Sequence, residues 1–180
     1  MNWKDFETPQ LIEDLVVQLC KKINIVAIVM DLGGGEYLYD RLGNRFAKEK
    51  MDVQLKGVYF NNSTTKKRIR PGFTGEDGTA NGAELGVNKR AEMYIDLRQA
   101  IEARQISFTQ KVADIVQPEM NATGKEQFTG SGKIQLEGKA TNIKKKLGHS
   151  PDTLDSVVMA LQAYIWLILG LFDDSLISFY

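Results

Sequence analysis

The chain has 180 residues, 43% of them hydrophobic, enough for one real core and too few for two comfortable domains. Acids and bases balance at 23 each, so net charge predicts no polyanion partner, and any nucleic-acid surface has to come from local clustering. A single cysteine, Cys20, excludes an internal disulfide framework and a cysteine-built zinc site; with no signal sequence in view, a reducing cytoplasm is the expected compartment.

Thr8-Pro9 reads as a helix start, and Leu11, Ile12, Leu15, Val16 and Leu19 follow as one apolar stripe, with Cys20 as a small buried hydrophobe. Asn24 ends that helix. "IVAIVMD", residues 25 to 31, is a continuous apolar run with β-branched residues, the pattern of a strand buried on both faces. "LGGGEYLYDRLG" gives a glycine turn and a short helix, and "VQLKGVYF", residues 53 to 60, a second strand. Residues 61 to 86 are polar, glycine-rich and without a period, a long functional loop or insertion in a single domain.

"NKRAEMYIDLRQAIEARQ" is a helix with Asn88 as its N-cap. Ile106 to Phe108 reads as a short strand, Val112 to Met120 as a short helix, and "EQFTGSGKIQLEGK" as a hairpin turning at Thr129 to Gly132. "TNIKKKLG" is a short basic helix or extended link. The last long helix starts near Ser150 and Pro151, and its apolar run, Val157 to Phe172, falls short of the ~20 residues that cross a bilayer. No membrane partner is expected. Alternating strands and helices argue an α/β fold.

Chemistry gathers at two places. Asp31 ends a buried strand ahead of three glycines, where functional groups collect in open α/β sheets. Gly33, Gly34 and Gly35 lack the spacing of a dinucleotide fingerprint and no Walker lysine follows, so they are read as letting the chain turn tightly beside the acid. At "GHSPDTLDSVVMAL", Asp152 falls in the first helical turn and Asp155 one turn on, beside His149, the only histidine. Capping and helix-dipole compensation account for one acid. Two acids and a histidine at one helix mouth also suit a hard divalent cation, Mg²⁺ or Mn²⁺. Basic residues cluster at Lys66, Lys67, Arg68 and Arg70, at Lys89-Arg90, and at Lys144, Lys145 and Lys146, with Lys139 preceding the last group; these could contact phosphates. Carboxylates for metals plus a basic rim is the arrangement that phosphodiester cleavage in a polyanion requires.

These residues resemble a known family. "GHSPDTLDSVVMAL" looks like the "SPD-x-x-D-A" signature closing the nuclease domain of tailed-phage large terminase subunits. "IVAIVMDLGGGEYLYDRL" resembles the strand, acid, glycine turn and helix carrying that family's second catalytic carboxylate, and "VNKRAEMYIDLR" is similar to its "N-x-R-A-E-x-Y-x-x-L" helix. "GKIQLEGKATNIKKKLGHSPD" matches its run of strand, lysine-rich link and SPD. The resemblance implies an RNase H-like mixed sheet flanked by helices and a metal-dependent endonuclease that cleaves double-stranded DNA with two Mg²⁺ or Mn²⁺ ions. Asp31 and Asp152 match the second and third acids, His149 a position beside the metals, and Asp155 a supporting acid. It also implies partners: the terminase ATPase domain, the small terminase subunit and the portal, in the cytoplasm of an infected bacterial host.

The chain departs from the family at its start. The first acid belongs on a strand ahead of the first helix, and "MNWKDFETPQ" runs straight into that helix, so the fold is expected to be N-terminally truncated. A split gene, a fragment, and a form completed by a chain supplying the missing strands all stay open, and so does activity of the piece alone. The alternative function is a non-catalytic DNA-binding or assembly module derived from this fold. Another RNase H-like nuclease, such as a junction resolvase, is the third, and the "NKRAEMY" helix speaks against it.

Overall fold

The computed structural model describes residues 8–63, 86–123, 127–130 and 133–172. The chain groups into two compact units, residues 1–59 with 159–180, and residues 60–158.

In the first unit, α1 (Pro9–Ile23) begins at Pro9, whose ring suits a first helical turn, and ends where Asn24 takes the left-handed conformation at φ 50°. Thr8 makes no side-chain cap bond. β1 (Ala27–Asp31) pairs in parallel with β2 (Gln54–Val58), Ala27 opposite Gln54 and Asp31 opposite Val58. The connecting helix α2 (Glu36–Glu49) makes this a compact βαβ unit. Val17, Cys20, Leu42 and Phe46 form its buried centre, walled by Ile25, Ile28, Met30 and Leu55 among others. β1 is half-buried along its whole length, not buried on both faces as its composition predicts; among the described residues it has one strand neighbour.

The second unit is organised round α3 (Lys89–Glu102), which is buried on nearly every side over its first two turns. All four donors of its first turn are satisfied: Lys89 N–H by the Asn62 carbonyl, Arg90 N–H by that of Phe60, Ala91 N–H by Asn88 Oδ1 at 2.9 Å and Glu92 N–H by the Asn88 carbonyl. Asn88 is thus the N-cap the sequence predicts. Residues 105–109 form no strand. Ile106 to Phe108 has strand-like composition but no ladder partner among the described residues, and it links Arg104, left-handed at φ 56°, to the start of α4 (Gln110–Thr123).

The expected hairpin is present as β3 (Gln127–Phe128) and β4 (Ile134–Gln135), an antiparallel pair. A π-helical turn (Lys139–Ile143) runs into α5 (Lys144–Leu147), so the basic link is helical, and it stops at Gly148, left-handed at φ 77°. α6 (Asp152–Ile168) follows; the boundary between the units falls within it, after Val158. The architecture is therefore mixed α/β with two small sheets of two strands each among the described residues. No helix of these residues is long and apolar enough to cross a membrane.

Candidate functional site at the mouth of the last helix

Asp31 sits in the first unit, where the three glycines fold round it. Gly33 N–H donates to Asp31 Oδ1 at 3.0 Å, an Asx-type turn. Gly34 holds φ +117°, and a Cβ on Gly35 would lie 2.5 Å from the Asp31 carbonyl oxygen. Only glycine permits that approach. The glycines serve the acid, as their spacing suggested.

In the second unit the α6 mouth holds two acids in opposite situations. Asp152 lies in the first turn with its side chain 71% exposed; its nearest cation is Lys139 Nζ at 3.7 Å. Its place suits a carboxylate offsetting the helix dipole. Asp155 is buried, its side chain 5% exposed, and both oxygens are engaged. Oδ1 accepts from the Tyr94 hydroxyl at 2.7 Å and Oδ2 from Lys139 Nζ at 2.5 Å, while Arg90 Nε lies 3.7 Å from Oδ1.

Tyr94 also accepts from Arg90 at 3.4 Å, and the guanidinium lies 4.8 Å from its ring centre. Burial, and then the Asp155 charge, push the Tyr94 hydroxyl well above the usual tyrosine range, so it stays a donor. A third acid, Glu119 of α4, is also buried and accepts the Leu154 N–H at 2.6 Å, capping α6 from another helix. His149 is exposed, with Nδ1 at 2.7 Å from the Ser150 carbonyl oxygen; that contact makes Nδ1 the donor.

The basic residues divide. Lys66, Lys67, Arg68 and Arg70 lie outside the described residues. Lys144, Lys145 and Lys146 are exposed on α5, Lys146 pairing with Glu137 at 2.8 Å. Lys89 pairs with Glu92 at 3.3 Å, Lys139 turns to Asp155, and Arg90 is buried, so these three face acids of the protein itself.

Among the described residues no three His, Cys, Asp or Glu side chains gather closely enough to hold a metal ion together. The donors fit a hard cation in kind: Asp152 is open, the imidazole of His149 is exposed beside it, and each Asp155 oxygen has a second lone pair beyond its one strong hydrogen bond. They do not fit in number. Tyr94 and Glu119 were not singled out from sequence. Tyr94 follows Arg90 by four residues, one helical turn, which is a readable signal; a buried glutamate after Pro118 leaves none.

No protein-family model matches the chain, and no curated protein matches it. Among solved structures it is similar to the nuclease domain of the large terminase subunit gp2 of bacterial virus Sf6, with a TM-score of 0.58 and 18% identity. The match covers 83% of this chain and 70% of that one. The fold is that of a phage terminase nuclease domain. In this structure Asp31 closes β1 and the "SPDTLD" acids open α6.

Proposed function

We propose that the chain is a terminase nuclease-like domain that cleaves double-stranded DNA with the help of Mg²⁺ or Mn²⁺, working with an ATPase domain. The observation that carries this is the treatment of Asp155. A carboxylate withdrawn from water and held by a tyrosine hydroxyl and two cations is the environment in which functional acids occur. It stands at the helix mouth that the terminase-like signature marks, in a terminase nuclease fold.

Asp31 of the first unit and Asp155 of the second are each assigned to the reaction on the terminase-like motifs that carry them, and Asp152 and His149 are exposed at the mouth of α6. This shifts weight from Asp152, whose exposed first-turn position a purely structural role explains. Bound divalent cations would polarise the phosphate and the attacking water. Lys144, Lys145 and Lys146 are assigned to DNA phosphates, so affinity should fall steeply with salt. One observation favours a non-catalytic DNA-binding module instead: no three metal-ligating side chains gather among the described residues.

Plasmid nicking by the purified chain in Mn²⁺ separates the readings. Nicking that is lost in both Asp31→Ala and Asp155→Asn and retained in Asp152→Ala supports the assignment. Nicking that survives both substitutions would sink it. DNA binding without any Mn²⁺-dependent nicking would favour the module.

A further inference from the structure

The segment from Lys139 to Leu147 carries Lys139, Lys144, Lys145 and Lys146, and the fold does not use them alike. Lys139 opens the π-helical turn and donates to Asp155 Oδ2 at 2.5 Å, with Asp152 Oδ1 at 3.7 Å. Lys146 donates to Glu137 Oε2 at 2.8 Å and to the Ala122 carbonyl oxygen, near the end of α4, at 3.4 Å. Between them Ile143 is fully buried and holds one side of the segment in the core. Lys144 and Lys145 are exposed, and among the described residues neither has an acid within ion-pair reach.

A lysine adds to a phosphate-binding surface only the charge that its own protein has not already matched. To reach a phosphate, Lys139 would have to leave two carboxylates, one of them buried, and a buried acid stripped of its partner is costly. Lys146 is half-exposed and its pair adds little stability, but its charge faces Glu137. Lys144 and Lys145 would give up only water.

The backbone fixes this division. A π-helical turn is rare and occurs most often at functional sites. Gly148, left-handed at φ 77°, closes the segment with its N–H on the Lys144 carbonyl. Two unmatched charges thus stand on a short stretch that its own lysines pin at both ends. A polyanion docking there orders little that is not ordered already.

We propose that residues 139–147 form a phosphate-binding segment for duplex DNA in which Lys144 and Lys145 make the contacts, while Lys139 and Lys146 are positioning residues that touch no phosphate. This rests on the reading of the chain as a domain that acts on double-stranded DNA, and it narrows the three lysines assigned above to two.

The test is binding of a short fluorescent DNA duplex to the full chain, followed by anisotropy over a series of KCl concentrations with a chelator present. The slope of log affinity against log salt counts phosphate contacts, at about 0.9 for each. Comparing variants cancels whatever other cations contribute. Replacing Lys144 and Lys145 together by alanine is expected to flatten the slope by about two. Lys139→Met is expected to weaken binding about two- to tenfold at every salt concentration, because the segment loses its order, with the slope within about half a unit of wild type. Lys139→Arg keeps a cation on Asp155 and should bind within about twofold of wild type. Lys146→Met should also keep the slope and weaken binding less than Lys139→Met, since its pair is the more exposed. Thermal unfolding of each is followed in parallel. The exposed Lys144 and Lys145 can be replaced with little risk to the fold, so the slope test stands even if Lys139→Met does not fold.

A slope unchanged by the loss of Lys144 and Lys145 would overturn the proposal. So would a slope flattened by about one in Lys139→Met or Lys146→Met, which would make that lysine a phosphate contact. If wild type binds no duplex even at low salt, the DNA reading itself fails and takes this inference with it. Wild-type binding with the wrong pattern of slopes overturns the inference alone.

Discussion

The two compact units handle charge in opposite ways. The first has an apolar centre of Val17, Cys20, Leu42 and Phe46, and keeps most of its ion pairs on the rim. There Lys21 pairs with Glu49 and Arg45 with Asp14, joining α1 to α2, and the main exception is buried Glu13, gripped by Arg41. The second unit buries Arg90, Glu119 and Asp155 around the start of α6, and buries Glu92 beside Lys89 on α3. Exposed pairs contribute little to stability, whereas a buried ion pair costs desolvation that its attraction often fails to recover. One unit is thus built as a scaffold would be. The other retains charges that an apolar core would do without, and that points to a role for them beyond folding.

Substitutions can break or sharpen this contrast. The largest effect is expected from Asp155→Ala, which leaves Arg90 and Lys139 without their acceptor; removing one partner of a buried pair costs about 3–5 kcal/mol. Urea unfolding would show it, and a loss near zero would mean that water reaches the cluster. Leu42→Ala in the first unit should cost about 2–5 kcal/mol through lost burial and a cavity. The two losses should part with conditions: added salt should leave the Leu42→Ala difference nearly constant.

Glu119→Ala removes the acceptor for Leu154 N–H and should cost about 1–3 kcal/mol, while Glu119→Gln keeps an oxygen there and should cost less. Equal losses would show that the charge, not the hydrogen bond, matters at that cap.

A pH effect follows from Tyr94. Its folded-state proton is held more tightly than the ordinary value of about 10 in the unfolded chain. Stability from this group is therefore complete below about pH 10 and declines as pH rises further, because the unfolded chain releases a proton that the folded chain keeps. Unfolding midpoints between pH 9 and 11 should fall less steeply in Tyr94→Phe. Ultraviolet titration should find one of the six tyrosines ionising only as the chain unfolds. The smallest effect is expected at Asp152→Ala, under about 1 kcal/mol, since an exposed carboxylate in a first turn contributes through the helix dipole and a loose pair with Lys139.

Local structure was legible wherever the sequence states its own physics. Pro9, Asn24, Asn88 and Gly148 each mark a helix end that the structure keeps, because caps and left-handed stops depend on neighbours in the chain. The βαβ pattern of β1, α2 and β2 was readable for the same reason. Ile106 to Phe108 was misread as a strand, since composition registers a preference for extended backbone and cannot supply a partner. At the site, the glycines beside Asp31 announced a tight turn. The difference in burial between Asp155 and Asp152 was hidden: two aspartates three residues apart look alike until Tyr94, 61 positions earlier, meets one of them. Arg90 and Lys139 read as phosphate contacts because a basic residue looks the same whether it faces DNA or its own protein.

The turn at Gly33 to Gly35 has a consequence for how such a chain can drift. Its three glycines are irreplaceable to different degrees. A methyl group at 33 would press on the movable end of the Asp31 side chain at 3.2 Å, at 34 it would strain the φ of +117°, and at 35 it would strike backbone at 2.5 Å. Saturation mutagenesis read by selection should therefore return a graded word, with 33 admitting alanine first and 35 admitting nothing. Copies of this chain that have diverged past recognition elsewhere would still spell an acid, one free letter and that ending.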